Sequence, residues 1–119
     1  MEKHPKIAWV KCPSLPSDPD YPLVQKYMPS GTCGVVSFGV KGGREAAEKF
    51  MTGLKIAAIE THVADARSCC LHPASTTHRQ MSDAELIAAG VSPDLVRLSC
   101  GLEGAEDLIA DIENALAQV

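Results

Sequence analysis

The stretch CGVVSFGVKGGREAAEKFMTGL, residues 33–54, constrains the fold more than any other part of the sequence. Its first eight residues alternate and then run apolar between glycines, which is typical of a β-strand. A glycine pair follows, and after it the apolar residues recur at helical spacing on one stripe: Ala46, Ala47, Phe50, Met51 and Leu54. A strand and an amphipathic helix joined by a tight turn predict a sheet covered by helices.

The same two periodicities recur along the chain. Strands are predicted at residues 7–10, 33–40, 66–72 and 95–102, and helices over 21–28, 44–54, 82–90 and from 105 onwards. The order βαβαβαβα alone is compatible with an α/β fold. Because the strands are short and several alternate, we expect an α+β fold: a small, mostly antiparallel sheet of about four strands with helices packed on one face.

Capping residues predict where the helices begin and end. Asp20 is placed to cap the helix at 21–28, and Ser82 with Glu85 has the spacing of a capping box, with Gly90 closing that helix. In the final helix the expected buried positions follow an i, i+3, i+4, i+7, i+11 pattern: Ala105, Leu108, Ile109, Ile112 and Leu116.

Composition narrows the class of protein. The 119 residues suit one domain, and 11 basic against 15 acidic residues give a formal charge of −4, which disfavours nucleic acid or an anionic membrane as partner. The apolar runs are too short to span a bilayer, and the amino terminus has no secretory signal pattern, so we expect a cytoplasmic protein. The five cysteines are odd in number and never spaced as CxxC, which favours reduced, buried thiols.

Three motifs invite a functional interpretation. Gly42 and Gly43 stand between a strand and a helix, where glycines can cradle a phosphate, but they match no nucleotide motif and a tight turn with positive φ is favoured. His72 and His78 lie near Cys70, but their spacing matches no common zinc pattern, so structural histidines are favoured and no metal site is expected. For the hydroxyl-rich segment LHPASTTHRQMS, a self-bonded loop and a functional loop remain equally open.

Arg97 is the strongest candidate for a functional residue. In DLVRLSCGL the alternation puts Leu95, Arg97 and Ser99 on one face of a strand and the apolar side chains on the other. An arginine on a strand usually faces solvent. The alternative is a cleft in which the planar guanidinium receives a carboxylate through two parallel hydrogen bonds.

At this point the sequence resembles the C-terminal domain of the transsulfuration (Cys/Met metabolism) family of pyridoxal-phosphate (PLP) enzymes. The resemblance rests on VVSFGVKGG, LHPASTTHRQMS and RLSCGLE in this order, covers essentially all 119 residues, and is nearest to O-acetylhomoserine sulfhydrylases. It implies that Arg97 binds the α-carboxylate of the substrate, that Ser68 lines the same pocket, and that Arg67 is a selectivity residue. Gly104 stands where the family commonly has an acidic residue, so we expect a weakened helix cap.

The resemblance also implies what residues 1–119 lack. Family members hold PLP through a lysine in a larger, preceding domain, and neither Lys41 nor Lys55 lies in such a motif. We therefore expect PLP in the parent enzyme but none in this chain, which would be an inactive C-terminal substrate-specificity domain without its large partner domain. The parent is expected to be a homo-oligomer acting on an amino-acid substrate.

The reaction expected of the parent is sulfhydrylation of O-acetylhomoserine to homocysteine. Three alternatives stay open. The same domain could come from a methionine γ-lyase or from a cystathionine γ-synthase or lyase. The chain could also be a natural short protein that serves as a non-catalytic binding or dimerisation module.

Overall fold

The computed structural model describes all residues, 1–119, and contains five strands and four α-helices. They are β1 (Ile7–Lys11), α1 (Tyr21–Tyr27), β2 (Val35–Val40), α2 (Gly43–Gly53), β3 (Ala58–Ile59), β4 (Cys69–Leu71), α3 (Asp83–Ala88), β5 (Leu95–Ser99) and α4 (Ala105–Ala117), with a 3-10 turn at Pro73–Ser75. The sheet order is β1-β2-β5-β4-β3, and only the β3–β4 pair is parallel. The α+β prediction is confirmed, with one short strand, β3, more than expected.

One face of the sheet forms the core with α2 and α4. Phe38 and Val96 pair across β2 and β5, are fully buried, and point toward these helices, where Phe38 meets Phe50 edge-on at 5.5 Å between ring centroids. Burying the Phe38 side chain stabilises the fold by about 2–3 kcal/mol. A bulge in β1 between Ile7 and Trp9 shifts the pleat, so that Ile7 faces the core while Trp9 faces the opposite side.

The predictions for the glycine turn and for the Ser82 cap are confirmed, and the prediction for the Asp20 cap is not. Gly42 and Gly43 adopt φ of 106° and 72°, which is the positive φ that the turn interpretation requires. The capping box of Ser82 and Glu85 is confirmed, because each residue's side chain accepts the backbone N–H of the other. The prediction for Asp20 is wrong in its detail: it occupies the N-cap of α1, but its side chain makes no capping hydrogen bond.

Helix α4 presents a different stripe to the core from the predicted one. Leu108, Ile112 and Leu116 are buried as expected, but Ile109 is 59% exposed and Ala105 is exposed too. Their places are taken by Asp111 and Ala115, which are buried. At the N-terminus of the helix Gly104 provides no side-chain cap, as expected.

Two general expectations concern membrane-spanning helices and the cysteines. None of the helices is both long enough and apolar enough to cross a membrane. All five cysteines are free, but the expectation that they are buried holds only for Cys12, Cys69 and Cys70, since Cys33 and Cys100 are exposed at the ends of β2 and β5.

Candidate functional site

The face of the sheet opposite to α2 and α4 carries a row of polar side chains. Lys11 pairs with Ser37 across β1 and β2, and Ser37 pairs with Arg97 across β2 and β5. Directly paired residues of antiparallel strands point to the same side. Arg97 therefore lies on the face away from the core, as the alternation predicted, and its side chain is half-buried.

A cavity of about 440 Å³ opens at one end of this face. It is lined by Trp9, Lys11, Ser37, Gly90, Ser92 and Leu95. The indole of Trp9 lies across Gly39, where a Cβ would overlap with it, and its Nε1 donates to the Asp94 carboxylate at 3.1 Å. Gly39 is therefore required for this wall of the cavity.

Arg97 rests against the loop that follows β3. Its Nη2 donates to the main-chain oxygens of Thr61 at 2.7 Å and of His62 at 3.4 Å. Its Nε is buried and has no hydrogen-bond partner, and no carboxylate of the chain forms an ion pair with it. The buried Nε costs about 1–3 kcal/mol as a donor without a partner, whereas Nη1, which makes no hydrogen bond, is the donor left for an anion.

Residues 60–67, the 60–67 loop, form a charged network beside Arg97. Glu60 accepts a hydrogen bond from Arg67 at 2.5 Å and pairs with the ring of His62 at 3.1 Å, and His62 lies 3.5 Å from Asp65. The backbone N–H of Arg67 donates to Asp65 and is the main reason why the pKa of that carboxyl is lowered. Of the predicted site residues, Arg67 thus lies on this loop, and Arg97 of β5 contacts it.

The same loop is attached to β5 a second time. The hydroxyl oxygen of Ser99 accepts the backbone N–H of Ala64 at 3.1 Å. Ala64 has φ of 60° and is the only non-glycine residue with positive φ. For an alanine this left-handed conformation costs about 1–2 kcal/mol, so the contact stabilises a conformation that the residue would otherwise avoid.

Ser68, the third predicted site residue, is fully buried, and its hydrogen bonds are made with the turn between β5 and α4. Its backbone N–H and its hydroxyl both donate to the Glu103 carboxylate at 2.8 Å, and its oxygen accepts the N–H of Gly101 at 2.8 Å. These donors lower the pKa of Glu103. The contacts hold the β5–α4 turn against the start of β4, and a role for Ser68 toward substrate stays a prediction.

The HPASTTH segment is organised by its own side chains. His72 is fully buried; its Nε2 donates to the carbonyl of Pro93 at 2.8 Å, and its Nδ1 lies 2.8 Å from the Ser75 hydroxyl. The Thr76 hydroxyl bonds to the carbonyl of His72, and Arg44 of α2 donates to that of Ala74. Both ring nitrogens of His72 are thus occupied, which fits the structural interpretation, and no three potential ligands cluster as a metal site would require.

Three of the five thiols are poorly suited to act as nucleophiles. Burial raises the pKa of Cys70 to about 12. It also raises the pKa of Cys69 and of Cys100. The reactive form of cysteine is the thiolate, which a raised pKa disfavours.

Several residues of this site were not identified from the sequence. Thr61 and His62 contribute main-chain oxygens, for which side-chain identity gives no signal. Ser99 and Glu103 did carry a signal, because both belong to the motif RLSCGLE, in which only the arginine was assigned a role. Gly101 of the same motif is needed because a Cβ there would overlap with the backbone of residues 66–68.

Comparison with known proteins gives consistent matches over the whole chain. A family model described as "Cys/Met metabolism PLP-dependent enzyme" matches residues 1–117. The chain is 46% identical to an O-acetyl-L-homoserine sulfhydrylase of Leptospira meyeri, with 100% of this chain and 27% of the relative covered. It is 48% identical to O-acetyl-L-homoserine sulfhydrylase 1 of Thermus thermophilus, with 97% of this chain and 27% of the relative covered.

A solved structure supports the same relationship. A Campylobacter jejuni protein described as an O-acetylhomoserine (thiol)-lyase, crystallised with N'-pyridoxyl-lysine-5'-monophosphate, superposes with a TM-score of 0.86 at 37% identity. The match covers 98% of this chain and 28% of that chain. The chain thus spans about a quarter of the length of the relatives it matches.

A site for PLP needs a lysine amine placed to form the Schiff base, and that this chain holds no PLP of its own stays a prediction. Lys41 and Lys55 are exposed, and Lys6 donates to the carbonyls of Leu116 and Val119 at the end of α4. Lys11 lies on the same sheet face as Arg97, two strands away on β1.

Proposed function

The chain belongs to the Cys/Met metabolism family of PLP-dependent enzymes, and from this premise we propose that it is the substrate-recognition domain of an O-acetylhomoserine sulfhydrylase. The names of the two sulfhydrylase relatives, at 46% and 48% identity, support this reaction. Their greater length supports a second, larger domain that binds PLP and completes the active site. Residues 1–119 would then form the C-terminal, substrate-specificity domain of a homo-oligomeric enzyme.

The observation that carries the proposal is the state of Arg97. A half-buried guanidinium has no acidic partner within the chain, makes no hydrogen bond at Nη1, and lies on the sheet face away from the core. A charged group that is partly removed from water without an ion partner is costly for stability unless a ligand uses it. The α-carboxylate of O-acetylhomoserine is an anion of the right geometry for a planar fork of donors.

The contribution of the domain to the reaction is binding and orientation. Two N–H groups of Arg97 fix the carboxylate, and this fixes the direction of the α-carbon and of the acetylated side chain relative to the partner domain. Arg67 lies on the same loop and is 56% exposed, so it is placed to influence which side chains are accepted. Its pairing with Glu60 keeps it near the rim of the site.

The test is a comparison of Arg97→Ala, Arg97→Lys and the control Lys49→Ala in the enzyme that contains these residues and a PLP-binding domain. Loss of two charge-assisted hydrogen bonds, each of about 1.5–3 kcal/mol, is expected to raise KM for O-acetylhomoserine at least about 100-fold. Arg97→Lys retains the charge without the fork and should give an intermediate KM. Lys49 is exposed on α2, on the opposite side of the sheet, and its variant should keep the wild-type KM.

The sulfide substrate provides an internal comparison, because it has no carboxylate. Its KM is expected to stay within about twofold of the wild-type value in Arg97→Ala. An unchanged KM for O-acetylhomoserine in that variant would show that Arg97 does not bind the carboxylate and would refute the proposal.

A further inference from the structure

Two residues of β5 hold the same four-residue stretch of the 60–67 loop. Arg97 donates to the carbonyls of Thr61 and His62, and Ser99 accepts the N–H of Ala64. Arg97 and Ser99 are two positions apart on one strand and therefore point to the same face. The loop is thus attached to β5 at both ends of residues 61–64.

The attachment at Ser99 acts on the backbone conformation of the loop. Ser99 is 3% exposed, so its hydroxyl is an acceptor at a fixed place, whereas residues 61–67 are all exposed; the loop is held again near its end, where Ala66 accepts the N–H of Leu102 at 2.8 Å. Ala64 is held at φ of 60°, against the preference of an L-residue. Ser99 is the residue that contacts Ala64 itself, where the positive φ occurs.

The loop in turn determines which edge of the Arg97 guanidinium is open. Nη2 is directed at the Thr61 carbonyl, and the neighbouring Nε is buried, so the edge formed by these two atoms faces the protein. Nη1 is neither buried nor hydrogen-bonded. A carboxylate can therefore approach only the outer end of the guanidinium, through Nη1 and the second hydrogen of Nη2.

We propose that Ser99 is a positioning residue: by holding Ala64 it keeps the 60–67 loop in the conformation that orients Arg97 end-on toward the substrate carboxylate. This inference rests on the proposed function for the identity of the anion. The hold on the loop and on Arg97 is a property of the chain itself and can be measured without substrate.

The first measurement is NMR of the 119-residue chain. In Ser99→Ala the Ala64 amide should exchange about fivefold to tenfold faster, which corresponds to the loss of one hydrogen bond, and the Arg97 Nε–H resonance should shift. Ser99→Thr keeps the acceptor and should retain the wild-type behaviour. Thr52→Ala removes an exposed hydroxyl from α2, on the other side of the sheet, and serves as the control. Unchanged Ala64 exchange and an unchanged Arg97 resonance in Ser99→Ala would overturn the proposal.

The second measurement is kinetic and uses the enzyme that contains these residues. Ser99→Ala should raise KM for the amino-acid substrate about tenfold with kcat within about twofold, and adding Ala64→Gly should restore KM, because glycine accepts positive φ without the hydrogen bond. If the loop loosens and Arg97→Ala raises KM but Ser99→Ala does not, Ser99 is not a positioning residue although the proposed function stands. If Arg97→Ala itself leaves KM unchanged, the proposed function fails, and the resonance of Arg97 still decides whether Ser99 orients it.

Discussion

Replacing Asp111 by asparagine should destabilise the chain, because this carboxylate is a buried acceptor for three consecutive backbone N–H groups. Asp111 is 4% exposed, and its oxygens accept from Lys55 at 2.8 Å, from Ile56 at 3.0 Å and from Ala57 at 3.1 Å. These contacts fix the connection between α2 and β3, directly before the 60–67 loop. The residue thus links the last helix to the segment that carries the candidate site.

The size of the effect follows from the geometry. Oδ2 serves Ile56 and Ala57, and Oδ1 serves Lys55 alone, so the amide oxygen of asparagine can keep two of the bonds while its NH₂ group faces the third donor. Losing one charge-assisted bond and setting the amide NH₂ against the part-buried N–H of Lys55 costs about 2–4 kcal/mol. Proteins of this length have a free energy of unfolding of about 6–18 kcal/mol, so the loss is a large fraction.

Urea denaturation, followed by circular dichroism, measures the change. With a slope of about 2 kcal/mol per molar urea, the midpoint of Asp111→Asn should fall by about 1–2 M without a change of slope. Glu106→Gln is the control, since Glu106 is exposed in the first turn of α4 and its charge contributes about 0.5 kcal/mol or less. A wild-type midpoint for Asp111→Asn would mean that the three N–H groups do not depend on the carboxylate, and the reasoning would be wrong.

Two further changes have expected outcomes. Because the pKa of Glu103 is lowered by the Ser68 donors, its charge stabilises the fold above the ordinary carboxyl pKa of about 4.3, and this stability is lost as pH falls through the lower folded value. Glu103→Gln should therefore unfold more readily than the wild type at pH 7 and should lose less stability between pH 5 and pH 2; parallel pH profiles of the thermal midpoint would contradict this. Gly39→Ala should displace the only tryptophan, Trp9, from its place across β2, and the emission maximum should move to longer wavelength; an unchanged spectrum and thermal midpoint would contradict the required close approach.

Periodicity predicted the elements that bury a stripe or a face. The α2 stripe and the two faces of β5 are as expected, because each depends on side chains near in sequence. Strand β3 was missed because it has only two residues, and Ile59 is 52% exposed, so neither length nor burial marks it. Its pairing is also parallel, which the alternating pattern of the other strands did not indicate.

The sequence predicted the site only where a contact is made by a side chain and not by the backbone. The position of Arg97 on the outer face followed from alternation, whereas its partners are carbonyl oxygens of residues 61 and 62 in an irregular loop. The same limit applies to Asp111, which binds backbone N–H groups more than 50 positions away. A polar residue in an apolar stripe can be recognised as an acceptor for distant backbone N–H groups only from the folded structure.

The outer strands of the sheet have a consequence for how the chain behaves toward other chains. β1 is interrupted by a bulge between Ile7 and Trp9, and β3 is two residues long. A peptide that tried to extend the sheet would find a broken row of backbone donors and acceptors on one border and almost none on the other. Self-templated growth into fibrils is therefore disfavoured at both borders.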